Sequence, residues 1–265
     1  MKPNRLAPMA ANRTNGAEHG YYVYAIAGTA PRLEGVRGVD GASPVFAVDR
    51  VGLSAVVSEV PLGEFGEEAL KERLEQLPWL EEKVRAHEEV LERAAGETAI
   101  LPLRFGTIYR SLEPVRELLE RRREALSAAL AQLNGKREWG VTATSDRKRL
   151  EQEVENGDAA SALEGKSPGN AFFTRKRLER EREDQARALA ARLAADAHLR
   201  LAAVSEESLR EDGALLKGSY LVDRAREQVF RDALNEVASA GDPYGFRFEL
   251  TGPWPPYSFV GSVTG

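Results

Sequence analysis

YGFRFELTGPWPPYSFV, residues Tyr244 to Val260, is the stretch on which the reading of the fold turns. Tyr244, Phe246, Phe248 and Leu250 alternate with Gly245, Arg247, Glu249 and Thr251, the period-two pattern of a half-buried strand. Gly252-Pro253 is expected to stop that strand, because proline has no N–H to offer a neighbour. Pro253, Pro255 and Pro256 then hold an extended tail close to polyproline II, with about three residues per turn, so that Trp254 and Tyr257 share one face. Chain ends fray unless tied down, and two large rings on a proline frame indicate a tail that is held. Trp254, Tyr257 and Phe259 either lie across their own domain as a lid or face a partner.

Upstream of this strand, Asp223 is placed to cap a helix with Val229, Phe230, Leu234 and Val237 inside. Before it, Ala214–Val222 and His198–Val204 read as strands. Ala171 to about Asp196 reads as a long charged helix whose narrow buried stripe is Leu178, Ala186, Leu189, Leu193 and Ala197. Lys136–Ser145 reads as a strand with Trp139, Val141 and Ala143 on one side, followed by a charged helical stretch to Glu155. The order β-α-β-β-α-β is that of a ferredoxin-like sandwich, helices on one face of an antiparallel sheet. Asn156–Asn170 is dense in small and turn-forming residues. It holds Gly165-Lys166-Ser167, but Ala160 stands where a phosphate-binding loop needs its first glycine, and no strand leads in, so no nucleotide site is expected.

The first half is a less regular α+β mixture. Tyr21–Ala27, Pro44–Asp49 and Leu53–Glu59 read as strands, the last two joined as a hairpin across Asp49–Gly52. Leu70, Leu74 and Leu77 begin a helical pattern, broken at Pro78 and resumed through Trp79, Leu80, Val84, His87, Leu91 and Ala94 to a cap at Gly96. His87 has no second histidine at helical spacing and reads as a packed residue, not a ligand. Ile100–Thr107, ILPLRFGT, starts as a short strand and turns at Gly106. Arg104, between Leu103 and Phe105, is expected to need a carboxylate or carbonyl partner. Ser111 is placed to cap a further helix with Pro114 in its first turn, Val115, Leu118, Leu119, Leu126, Leu130 and Leu133 inside, and Asn134-Gly135 at its end.

Composition narrows the function. The chain has 265 residues, 42% apolar and 30% charged, the balance of a folded soluble protein. It has no cysteine and three histidines, which removes disulfides, thiolate chemistry and the commonest transition-metal sites. A net charge of −5 argues against general nucleic-acid binding, and no apolar run is long enough to span a membrane. No GxSxG, GxGxxG or complete phosphate loop occurs, so neither an enzyme nor a cofactor is expected.

Four stretches carry a resemblance. GPWPPYSF, following a YLVD strand (Tyr220–Asp223) and a helix, is similar to the C-terminal signature of the gas vesicle protein F/L family (GvpL/GvpF). PLRFGT (Pro102–Thr107), the helix with Trp79-Leu80, His87 and Val90, and the helix start Pro168–Phe173 resemble the same family. The resemblance covers nearly everything from Tyr21 to Val260. It implies two α+β domains and a C-terminal tail, which agrees with the boundaries read from the residues: domains at 20–135 and 136–251 and a tail at 252–265, after a leader at 1–19 that has no apolar core, reads as disordered, and is not covered by the resemblance. It further implies a non-enzymatic accessory or minor structural protein, found at the gas vesicle and in the cytoplasm. Its partners would be the small hydrophobic shell protein and other gas vesicle accessory proteins. Arg104, Phe105 and Thr107, with Trp254, Tyr257 and Phe259, are the expected protein-binding residues. The competing class is a ferredoxin-like regulatory or RNA-binding module, which would display aromatics on its two central strands.

Overall fold

A computed structural model describes residues 18–157 and 168–261 of the chain. Most of the leader, the Gly165-Lys166-Ser167 segment and the last four residues lie outside the described residues. The protein is a mixed α and β fold built on two antiparallel sheets.

The first sheet uses β1 (His19–Ala27), β2 (Val45–Arg50), β3 (Leu53–Pro61), β4 (Ile100–Pro102) and β5 (Ile108–Tyr109). Its order is β2-β3-β1-β4, with β5 also paired to β1. The β2–β3 hairpin turns through Val51 and Gly52, both at positive φ (48° and 80°), the twist that two-residue hairpin loops favour. Helices cover both faces, which explains why β1 is buried along almost its whole length. A bulge after Val23 shifts the alternation, so Tyr24 and Ala25 both face one core while Val23 and Ile26 face the other. On the tyrosine face lie the short helices α1 (Leu62–Phe65) and α2 (Glu67–Arg73) and the long α3 (Leu77–Glu97). On the other face lie α4 (Glu113–Arg121) and α5 (Arg123–Leu133).

The second sheet has the order β7-β8-β6-β9, from β6 (Lys136–Ser145), β7 (Glu207–Arg210), β8 (Leu216–Asp223) and β9 (Phe246–Trp254). Helices α6 (Arg147–Gly157), α7 (Pro168–Ala202) and α8 (Glu227–Gly241) complete this half. Trp139, Val141, Ala143, Leu216 and Tyr220 pack against Ala186, Ala190, Ala194, Ala197 and Leu201 of α7 and Phe230, Leu234 and Val237 of α8. Arg231 lies over the Trp139 ring, 4.4 Å from its centroid, capping that core with a cation–π contact. Leu221, on the other face of β8, joins the core under α4 and α5, so the two sheets share buried apolar surface.

Several local expectations are corrected. His198–Val204 is not a strand: α7 runs to Ala202, because Ala194, Ala197 and Leu201 continue the buried stripe at helical spacing, and the next strand is Glu207–Arg210. Gly252-Pro253 does not stop β9. The strand is at the sheet edge, where a missing N–H faces no partner, and with a register shift it continues until Trp254 pairs with Glu138. The tail beyond is not extended throughout, since Tyr257–Phe259 form a 3-10 turn. Tyr244 precedes the strand in another 3-10 turn, and Gly245 links the two at φ 73°. Asp223 caps a 3-10 turn, accepting from the Ala225 N–H at 2.8 Å, and Val229 of α8 is exposed, not inside. Gly96 lies within α3, and Leu112, not Ser111, occupies the N-cap of α4, where no side chain caps the helix.

Candidate docking site

PLRFGT leaves β4 and folds into a turn sewn to β1. The Leu103 N–H donates to the Tyr24 carbonyl at 2.8 Å, and the Val23 N–H donates to the Thr107 carbonyl at 2.9 Å. Within the turn, the Thr107 hydroxyl donates to the Arg104 carbonyl at 2.7 Å. Gly106 sits at φ 81°, a left-handed conformation that favours glycine, and a Cβ there would press on Leu70 Cδ2 of α2 at 3.1 Å. Arg104, expected to be paired in an apolar run, instead reaches solvent. The physical reason is the turn itself: it aims Leu103 into the core and the next side chain outward.

Phe105 is half-buried, its ring edge-on to Tyr22 at 6.0 Å and to His87 at 5.6 Å. The Gly106 N–H donates to the Tyr22 hydroxyl at 2.9 Å, and the same hydroxyl is hydrogen-bonded to His87 Nδ1 at 3.0 Å. The other ring nitrogen of His87, Nε2, is buried with no hydrogen-bond partner among the described residues. Burial holds its pKa down at about 4, as expected for a ring packed among Tyr22, Tyr24 and Phe105.

The tail returns to the same stretch of α3. Tyr257 donates its hydroxyl proton to Glu88 Oε1 at 2.8 Å. Burial pushes both groups up, the carboxyl of Glu88 and the hydroxyl of Tyr257, and the bond to Glu88 adds to the shift on Tyr257. Ser258 is gripped by Glu138 of β6, its N–H donating to Oε2 at 2.8 Å and its hydroxyl to Oε1 at 2.6 Å. Phe259 and Val260 then pack on the core that also receives Leu221. One short segment therefore touches helix α3, strand β6 and the core between the sheets.

Trp254 faces away from this clasp and is 40% exposed. With Pro253, Pro255 and Pro256 it walls a cleft of about 440 Å³, closed on the other sides by the end of α3 and the α5–β6 turn. Arg224 reaches across to the α3 end, donating to the Ala95 carbonyl at 3.1 Å, where a helix C-terminus favours positive charge.

Of the six residues expected to bind protein, Arg104 and Trp254 are exposed, while Phe105, Thr107, Tyr257 and Phe259 are half-buried. Phe105 and Tyr257 meet on one core, against consecutive residues of α3; Trp254 stands apart from Tyr257. Sequence reasoning missed Glu88 and Glu138. Glu88 sits among many solvent-facing glutamates of α3 with nothing to mark it. Glu138 alternates outward from Trp139, and only the tail that covers that face makes it a buried acceptor. Among the described residues no group of His, Cys, Asp or Glu could hold a metal ion, and no helix is long and apolar enough to cross a membrane.

Comparison with known proteins places this arrangement. The family of gas vesicle synthesis proteins GvpL/GvpF matches residues 20–261. Gas vesicle protein L of Streptomyces sp. (strain CB03234) is 37% identical over 259 residues, covering 91% of this chain and 92% of that protein. Gas vesicle protein F1 of Halobacterium salinarum is 28% identical over 228 residues, 85% of each chain. The crystal structure of GvpF from Anabaena sp. PCC7120 superimposes with a TM-score of 0.67 at 21% identity, covering 91% of this chain and 96% of that one. GvpF from Microcystis aeruginosa gives 0.63 at 21% identity, covering 91% and 98%. With the family match spanning both sheets, the PLRFGT turn and the tail clasp, the chain belongs to the GvpL/GvpF family of gas vesicle synthesis proteins.

Proposed function

We propose that the protein is an accessory or minor structural protein of the gas vesicle, acting in the cytoplasm and at the vesicle, that binds the small hydrophobic shell protein during assembly. The carrying observation is the extent of the likeness, residues 20–261, which includes both docking runs. A strongly apolar shell subunit needs its surface covered before it polymerises, and a protein with exposed aromatic surface beside a cleft is suited to that. We read the chain as two α+β domains, 20–135 and 136–251, with a tail from 252. The second has the strand order β7-β8-β6-β9 with α7 and α8 on one face, and we read it as ferredoxin-like. Arg104 and Trp254 are the outward contacts in this proposal, and Phe105, Thr107, Tyr257 and Phe259 hold them in place. No catalytic role belongs to the proposal.

The test is a pull-down of the shell protein by the intact chain and by Trp254→Ala and Arg104→Ala. Retention by the parent and weakening in either variant supports the reading; failure of the intact chain to retain the shell protein overturns it. The RNA-binding alternative is disfavoured by Trp139 and Tyr220, the aromatics of the two central strands, which are 1% and 0% exposed.

A further inference from the structure

The flank of α3 is covered along only part of its length. Residues 77, 84 and 88 share one side of the helix, spaced by seven and four, and residue 80 lies at the margin of the buried stripe. The tail occupies the later part of that flank, with Tyr257 on Glu88. The earlier part is bare. Leu77 is 68% exposed, Val84 is 37% exposed, and Leu74, on the turn joining α2 to α3, is 41% exposed. Leu80 is half-buried beside them, and Leu70, one turn before Leu74, closes against Gly106 of the PLRFGT turn. Single exposed leucines need no explanation, but a run of apolar side chains along one helix flank does.

The charge around this ridge is one-sided. Residues 62–97 carry eleven glutamates against five lysines and arginines. Lys71 is engaged by Glu67 and Glu68, and Lys83 is buried against Glu82 and Glu64, so these two cations are already paired. Glu75 and Glu81 flank Leu77 and are exposed. An apolar stripe rimmed by carboxylates is complementary to an amphipathic helix whose apolar face is bordered by lysine or arginine.

We propose that the α2–α3 ridge, centred on Leu74, Leu77 and Val84, is a docking surface for a basic amphipathic helix of another protein. The helix lies along the bare flank of α3, in line with the segment that Tyr257 already covers. Leu74, Leu77 and Val84 are none of the residues to which shell-protein binding is assigned above, so either proposal can fail alone.

The probe is a designed leucine–lysine peptide of about 18 residues with its leucines on one helical face. Its controls are a scrambled peptide of the same composition and a leucine–glutamate counterpart. Binding to the full chain is measured by fluorescence anisotropy at low and high salt. The basic amphipathic peptide is expected to bind best, and Leu74→Ser with Leu77→Ser, which leaves the charge unchanged, to weaken it about tenfold or more. Circular dichroism melting shows that the variant, altered only at exposed positions, is folded. Equal binding of the scrambled peptide, or binding unchanged in the variant, overturns the proposal. So does self-association of the parent that the variant abolishes, which would assign the ridge to a second copy. Tight peptide binding seen only after removal of residues 1–17 would assign it to the chain's own leader and overturn it equally.

Discussion

Glu138→Ala should release the tail. Glu138 is 7% exposed and accepts two hydrogen bonds from one residue, the N–H of Ser258 at 2.8 Å and its hydroxyl at 2.6 Å. Hydrogen bonds to a charged acceptor contribute about 1.5 to 3 kcal/mol each. Deleting the carboxylate also removes its own desolvation penalty, so the lower end applies and the two together amount to about 3 kcal/mol. Since about 1.4 kcal/mol is a factor of ten, tail-open molecules should become about a hundredfold more populated. Ser258→Ala keeps the backbone bond and loses only the hydroxyl, which predicts about a tenfold increase. The double variant should match Glu138→Ala alone, because the hydroxyl has then already lost its acceptor. Limited chymotrypsin digestion reads this directly, through cleavage after Tyr257 and Phe259, when opening and closing are fast relative to cutting. Glu138→Ala cleaved within about threefold of the parent, or a double variant behaving additively, would refute the clasp.

Three further outcomes follow from the same geometry. The folded pKa of His87, about 4, lies below its unfolded value of about 6.5, so the unfolded chain binds more protons. This contribution is complete above about pH 7 and shrinks by about 3 kcal/mol as pH falls toward 4; urea titrations should show His87→Gln losing that part of the pH slope, and an unchanged slope would contradict it. Gly106→Ala meets both the positive φ and Leu70, and should cost about 1 to 2 kcal/mol, a melting point lower by about 3 to 6 °C; a melt unaltered from the parent would remove the constraint argued for this turn. Tyr257→Phe leaves Glu88, whose Oε2 already lacks a partner among the described residues, with neither oxygen bonded, and should destabilise by about 1 to 2 kcal/mol in the same urea assay, whereas Arg104→Ala, altering an exposed side chain, should stay within about 0.5 kcal/mol.

Much of the fold could be read from residue patterns. Aromatic and β-branched composition located β1, alternation of Trp139, Val141 and Ala143 located β6, and the Asp49–Gly52 link announced the hairpin of β2 and β3. The leucine spacing and Pro78 marked where α2 gives way to α3. Errors gathered where two signals competed locally. His198–Val204 satisfies alternation, but the alanines before it had already committed the chain to a helix whose face continues through Leu201. Pro253 is a strand breaker in a central strand and tolerable at an edge, and edge position is not written in the local sequence. Arg104 looked buried because its neighbours are apolar, yet a turn reverses direction residue by residue. The candidate site divides in the same way. Its aromatic residues announce themselves, whereas Glu88 and Glu138 become special only through partners 169 and 120 positions away in the chain. The gas vesicle family was legible in GPWPPYSF and PLRFGT because both runs are long, and both fall inside the matched region.

The six residues from Pro255 to Val260 reach α3, β6 and the shared core at once. A change of bulk there is felt in several places together, because Phe259 and Val260 belong to the core on one face of the first sheet and Tyr257 packs on the core of the other. The last turn of the described chain is thus a fastening at three points, and loosening one of them leaves the other two to hold the end in place.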